Sequence, residues 1–273
     1  MSEGNFWFAF GLTLFAGLST GIGSFIGLFN KTNNHKMLSY AMGFSAGVMI
    51  YISFTELFFQ AQESLVGALG ETKGSWANAI AFFGGITIIA IIDKLVPGHE
   101  NPHEYSDTSA LELPEKKIST LPKAKLLRTG MFTALALAIH NFPEGMATFA
   151  GAMKDPNLGI PIAIAIAIHN IPEGIAVSVP IYYATGNRKK AFWYSFLSGL
   201  AEPVGAFVGF LILMPFFNDI VFGYIFSGIA GVMVFIALDQ LLPGAEEYGE
   251  HHQSIYGLVT GMAVMAISLL LFV

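Results

Sequence analysis

Apolar residues in this chain come in runs of about twenty, the length an α-helix rising about 1.5 Å per residue needs to cross roughly 30 Å of hydrocarbon. The runs cover Asn5 to Leu28, Met37 to Gln60, Trp76 to Val96, Ala124 to Ala152, Leu158 to Ala184, Ala191 to Phe217, Ile220 to Leu242 and Ser254 to Val273. Lipid offers no hydrogen-bond partner to a bare N–H or C=O, so runs of this length are restricted to helices. The expected fold is an all-α integral membrane protein with eight transmembrane helices, a single transmembrane domain over residues 1–273. Composition agrees, with 54% hydrophobic and 12% charged residues, about half the charge of a soluble domain. The lipid bilayer is thus the first partner. A net charge of -6 provides no basic face for nucleic acid. Without cysteine there is no disulfide framework and no thiolate metal site. The N-terminus, MSEGNFWF, has an acidic residue where a signal peptide carries basic charge, so the first helix is expected to be retained.

Lysine and arginine set the expected orientation, because cytoplasmic loops keep positive charge. Lys31 and Lys36 follow the first span; Lys94, Lys116, Lys117, Lys123, Lys125 and Arg128 flank the third connection; Arg188, Lys189 and Lys190 flank the fifth. The even-numbered connections hold only Lys73 and Lys154. Both termini are therefore expected on the outer side. The third connection, residues 97–122, mixes both charge signs with Pro and Ser and has no apolar period, which predicts a mobile cytoplasmic loop. Its His99, Glu100, His103 and Glu104 read first as a solvated polar stretch and second as a weak metal-collecting site.

Two spans carry nearly the same hexapeptide. HNFPEG runs from His140 to Gly145 in the fourth span and HNIPEG from His169 to Gly174 in the fifth, identical at five positions. A carboxylate at membrane depth costs about 2.5 kcal/mol or more unless paired or hydrated, and intramembrane ionisable residues are by default functional. His140 and Glu144, like His169 and Glu173, stand four apart and share one helix face. Facing edges would gather two imidazoles and two carboxylates, a donor set suited to zinc and tolerable to iron, cobalt, manganese or cadmium. Pro143 and Pro172 lack an N–H, so the carbonyls of Ile139 and Ile168 lose their helical donor, while Asn141 and Asn170 add amide oxygens. The competing reading, polar residues that only pack helices together, suits a single motif better than a matched pair.

Further carboxylates lie at Glu202, in GLAEPVGA of the sixth span, Glu56, in SFTELFF of the second, and Asp239 near the end of the seventh. Glu202 beside Pro203 reads as a ligand. Glu56 reads equally as a cation collector or a residue reaching water, and Asp239 first as a solvated helix end and second as a group receiving an exiting cation. The methionines read as core fillers rather than thioether ligands, Met49 in AGVMIY being the one to examine as a ligand.

These segments resemble the ZIP (Zrt/Irt-like) divalent metal transporters, and within them the bacterial ZupT-like group: HNFPEG and HNIPEG on successive helices, GLAEPVGA on the next, and SFTELF earlier. The resemblance implies a 3+2+3 bundle, two inverted three-helix units with the fourth and fifth helices as a central pair. It also implies uptake toward the cytoplasm across a bacterial cell membrane. The implied site holds one metal with His140, Glu144, His169 and Glu173, and a second with Asn141, Asn170 and Glu202 sharing Glu144 and Glu173. Gln240 departs from the carboxylate usual in similar sequences. No catalytic cofactor is implied, and a homodimer is one compatible assembly.

Read from the residues alone, the ligands also suit an intramembrane zinc hydrolase or a passive cation channel or sensor, although HExxH is absent. Imidazole and carboxylate bind metal only when deprotonated, so protons compete with the cation. Uptake into proteoliposomes should therefore fall as pH drops from about 7.5 to 5.5, the imidazole range; a flat profile would sink direct His ligation.

Overall fold

A computed structural model of the chain describes residues 3–29, 35–95, 123–213, 216, 218–248 and 251–270. Among the described residues every regular element is helical. Helices α1 (Glu3–Phe29), α2 (His35–Ile52), α3 (Phe58–Leu69) and α4 (Glu71–Leu95) come first, α2 running into α3 through a π-helical turn at Ser53–Leu57. Then follow α5 (Lys123–Lys154), α6 (Pro156–Thr185), α7 (Arg188–Gly199), α8 (Ala201–Leu213) and α9 (Asp219–Ile236). A second π turn, Ala237–Leu241, leads into α10 (Leu242–Tyr248), and α11 (His251–Leu270) closes the chain. The expected loop 97–122, with His99 and His103, lies outside the described residues, as do the side chains of His140 and Gln240.

Seven helical stretches among the described residues are long and apolar enough to cross a membrane: Asn5–Leu28, Ser39–Leu69, Glu71–Lys94, Pro156–Val179, Arg188–Ile212, Asp219–Glu246 and His252–Leu270. The eighth expected span is α5, whose 32 residues reach about 48 Å and whose apolar run is diluted by His140, Asn141 and Glu144. The chain is a multi-pass membrane protein. The sixth expected span is two helices meeting at Leu200, and the seventh runs past Leu242 through the π turn.

The connections are short and capped. Asp155 alone separates α5 from α6; its carboxylate accepts from Asn157 N at 2.8 Å, and Pro156 occupies the first helical turn, where its missing N–H costs nothing. Gly186 ends α6 at φ 64°, a left-handed conformation that glycine adopts without strain. Asn187 then caps α7 by accepting from Lys190 N at 3.0 Å. One-residue and two-residue links force α5, α6 and α7 to lie side by side.

Lipid tails are as apolar as a leucine core, so membrane helices associate through close packing more than through hydrophobic burial. Glycine supplies that packing here. A Cβ at Gly23 of α1 would overlap the carbonyl oxygen of Ile171 in α6, and one at Gly205 of α8 would overlap that of Phe142 in α5. The α2–α11 contact is built the same way, Gly47 against Leu258 O and Gly261 against Phe44 O, as is α4–α9, with Gly231 against Phe82 O and Gly85 against Gly228 O.

These contacts come in matched pairs, α1–α6 with α5–α8 and α2–α11 with α4–α9. The two π turns fall at corresponding places in the second and seventh spans. That is the internal repeat expected of the bundle, with α5 and α6 between its halves. Packing divides the helices differently from the repeat order. The first helix of each half, α1 and α7–α8, joins α5 and α6 in one group; α2–α3, α4, α9–α10 and α11 make the other, and contact between groups is lighter. Lys154, at the end of α5, ties them together: it donates to Ser64 Oγ of α3 at 2.6 Å, lies 3.4 Å from Asp219 of α9 and sits 3.9 Å over the Phe222 ring.

The glycine contacts predict that Gly23→Ala and Gly205→Ala each destabilise the protein, by about 1–3 kcal/mol as for other overpacked sites. Gly67→Ala and Gly84→Ala, where a Cβ meets nothing within 4 Å, should be neutral or stabilising by about 0.5–1 kcal/mol. Thermal unfolding in detergent checks both.

Candidate metal centre

The two hexapeptides lie on α5 and α6. In α6, 76% of the spanning segment is buried, against 28% in α4. Both helices run unbroken through their prolines, so Pro143 and Pro172 each remove one backbone donor without ending the helix. Gly145 and Gly174 follow one residue after the glutamates. A Cβ on Gly145 would overlap Glu202 O, and one on Gly174 would overlap Thr20 O. The glycines thereby draw α8 and α1 against the motifs, which is why Glu202 joins the centre from a distant part of the sequence.

Asn141, Glu144, His169, Asn170 and Glu202 are fully buried and Glu173 is 1% exposed. His169 Nε2 lies 3.0 Å from Glu144 Oε1, a bond between the two motifs across α5 and α6. Asn170 donates through Nδ2 to the Glu202 carboxylate and, at 3.0 Å, to the carbonyl of Ala16 in α1. Asn141 makes the matching bond in the other half, Nδ2 to the carbonyl of Ser198 in α7 at 3.3 Å. Among the described residues neither asparagine's Oδ1 accepts a hydrogen bond. Ser45 Oγ of α2 donates to His169 O at 3.4 Å, so the second helix group also touches the motif.

Of the seven expected ligands, the structure joins His169 to Glu144 and Asn170 to Glu202, and it buries Glu173 and Asn141 on the same helix pair. The backbone of His140 is one turn before Glu144 on α5. Among the described residues no three His, Asp or Glu side chains come together closely enough to hold an ion. Hydrogen bonds among its own side chains and to neighbouring backbone carbonyls knit the centre together. Three carboxylates are buried, and no described Lys or Arg is buried with them. Chemically the arrangement is a set of imidazole nitrogen, carboxylate oxygen and amide oxygen donors.

The other candidates fall outside this centre. Glu56 lies half-buried in the first π turn and hydrogen-bonds Gln60. Asp239 is exposed in the second π turn. Met49 is fully buried in the apolar core, a packing residue. The backbone carbonyls of Ala16 and Ser198, which fix the two asparagines, were not legible beforehand, because any residue supplies a carbonyl.

Fold and site together define a polytopic helical membrane protein with a buried carboxylate, imidazole and amide centre on its innermost helix pair. The family profile described as ZIP Zinc transporter matches residues 94–269, more than half of the chain. The chain is 60% identical over 271 residues to a zinc transporter ZupT of Lysinibacillus sphaericus, covering 99% of this chain and all of that protein. It is 60% identical over 265 residues to a zinc transporter ZupT of Streptococcus mutans, covering 97% of each. To a zinc transporter ZupT of Corynebacterium glutamicum it is 57% identical over 267 residues, 97% of this chain and 99% of that one. The chain belongs to the ZIP zinc transporter family.

Asn170→Leu removes the donor shared by Ala16 O and Glu202, and leaving buried acceptors without it should cost about 1–3 kcal/mol. Asn157→Ala, on the surface, should stay within about 0.5 kcal/mol of wild type. Equal unfolding temperatures for the two variants would contradict the bridging role of Asn170.

Proposed function

We propose that this protein imports divalent metal cations toward the cytoplasm, zinc foremost and also iron, manganese, cobalt or cadmium, through the centre on α5, α6 and α8. The observation that carries this reading is the burial of three carboxylates beside His169 with no Lys or Arg buried among the described residues. Left ionised, such a centre calls for cations, and a divalent metal supplies them. One cation takes His140, Glu144, His169 and Glu173; the second takes Asn141, Asn170 and Glu202 and shares Glu144 and Glu173. The relatives, zinc transporters by name, support zinc as cargo, and membership of a transporter family weighs against the hydrolase reading.

A buried centre exchanges cargo only if its surroundings move. In this reading the α1, α5, α6, α7–α8 group shifts against the other group, opening the centre to one face and then the other. The face with the α5–α6 turn and Lys154 is the outer one, and both termini lie there, because Lys and Arg concentrate at the opposite ends. The membrane is the bacterial cytoplasmic membrane.

Metal uptake into proteoliposomes tests the reading, with zinc, iron, manganese and cadmium compared. His140→Ala and Glu173→Ala should each lower uptake about tenfold or more, and His99→Ala, in the loop, should not. Saturation with trapping separates a carrier from a channel. Full uptake by both centre variants would move the pathway elsewhere.

A further inference from the structure

Threonines in helices commonly bond back to the carbonyl four residues earlier, and Thr13, Thr55, Thr87, Thr148, Thr185 and Thr260 all do so here, at 2.7–3.1 Å. Thr20 does not. Its acceptor would be Ala16 O, and that oxygen already accepts from Ser19 Oγ at 2.6 Å and from Asn170 Nδ2 at 3.0 Å. The Thr20 hydroxyl is fully buried and has no hydrogen-bond partner among the described residues. A lone buried hydroxyl is costly unless something occupies it.

Position 20 is also the repeat counterpart of Glu202. Gly17-Leu-Ser-Thr20-Gly-Ile-Gly23 in α1 aligns with Gly199-Leu-Ala-Glu202-Pro-Val-Gly205 at the α7–α8 junction. The two segments cross reciprocally. A Cβ on Gly17 would stand 3.4 Å from Glu202 Cβ, one on Gly199 would stand 2.8 Å from Thr20 Cβ and 2.7 Å from its hydroxyl, and each would be 2.5 Å from the other glycine's carbonyl oxygen. Asn141 to Ser198 O repeats Asn170 to Ala16 O across the same crossing. In one half, then, a carboxylate stands beside Asn170; in the other, Thr20 takes the carboxylate's place, and both its hydroxyl and Asn141 Oδ1 lack a partner.

We propose that Thr20 is a specificity-determining residue of the metal centre, its hydroxyl supplying a neutral oxygen, directly or through a bound water, opposite Glu202. This rests on the import reading above. Zinc is content with four ligands including imidazole, whereas manganese favours six oxygens. A neutral oxygen on the side without a carboxylate helps complete the larger shell. Loss of the hydroxyl therefore weakens manganese more than zinc. A neutral group also avoids a fourth buried carboxylate, which would hold cations too firmly for release.

Competitive uptake of zinc and manganese into proteoliposomes tests this, with the full chain, Thr20→Val, Thr20→Ser and Glu173→Ala. Thr20→Val keeps the side-chain shape, and Thr20→Ala serves if valine does not fit the crossing. The expected result is a manganese-to-zinc ratio lowered at least about threefold in the valine or alanine variant and recovered by serine. An unchanged ratio, or no manganese uptake by the intact chain, overturns the role of Thr20. If Glu173→Ala abolishes uptake while the ratio is unchanged in Thr20→Val, the import reading stands and only this inference fails. If Glu173→Ala transports normally, the centre itself is misplaced and this inference falls with it.

Discussion

Three ionisable carboxylates enclosed in an apolar bundle are the constraint around which the rest of this molecule is arranged. Their ionised form is expensive at membrane depth, so each needs a partner or a cargo. The imidazole of His169 and the amide of Asn170 supply hydrogen bonds to two of them. The prolines, which leave further carbonyls without helical donors, add oxygen at the same depth. A bundle built only for stability would have replaced these groups with leucine, and double substitution of a buried polar pair by apolar side chains is often neutral or stabilising.

The glycine crossings are the second condition. Glu202 is 29 residues from Glu173 in the sequence, yet it shares a hydrogen bond with α6 because α8 and α5 approach to backbone contact. The same device brings α1 to α6. Four helices thus form a tight unit around the centre, while the other four are locked to one another by their own glycines. Lighter contact between the units follows from where the glycines are, since larger side chains hold helices apart.

Much of this was legible in the sequence, for identifiable reasons. Runs of about twenty apolar residues admit one secondary structure in lipid, so the helices could be placed before any coordinates. The HNxPEG duplication stood out because polar residues are rare inside such runs. The division into two four-helix groups was not legible. Soluble helices declare their neighbours by an apolar stripe, but a helix that is apolar on all sides gives no such sign. The kinship of Thr20 and Glu202 was hidden too, because their segments agree only at two glycines and a leucine and differ at the chemical group. The break at Leu200 and the π turns left no mark in hydropathy.

Those π turns have an effect on span two as a whole. Each inserts one residue into the winding of the helix, and one residue is about 100° of rotation at 3.6 per turn. Before Ser53–Leu57 the span packs on α6 and α11; after it, on α4 and α9. A regular helix keeps one face toward one neighbour, but here the phase jumps halfway, and a single rod serves two different walls. The turn at Ala237–Leu241 acts likewise in span seven, which packs on α3 and α4 before it and on α2 and α11 after it, so one continuous helix again serves two walls of its own four-helix unit.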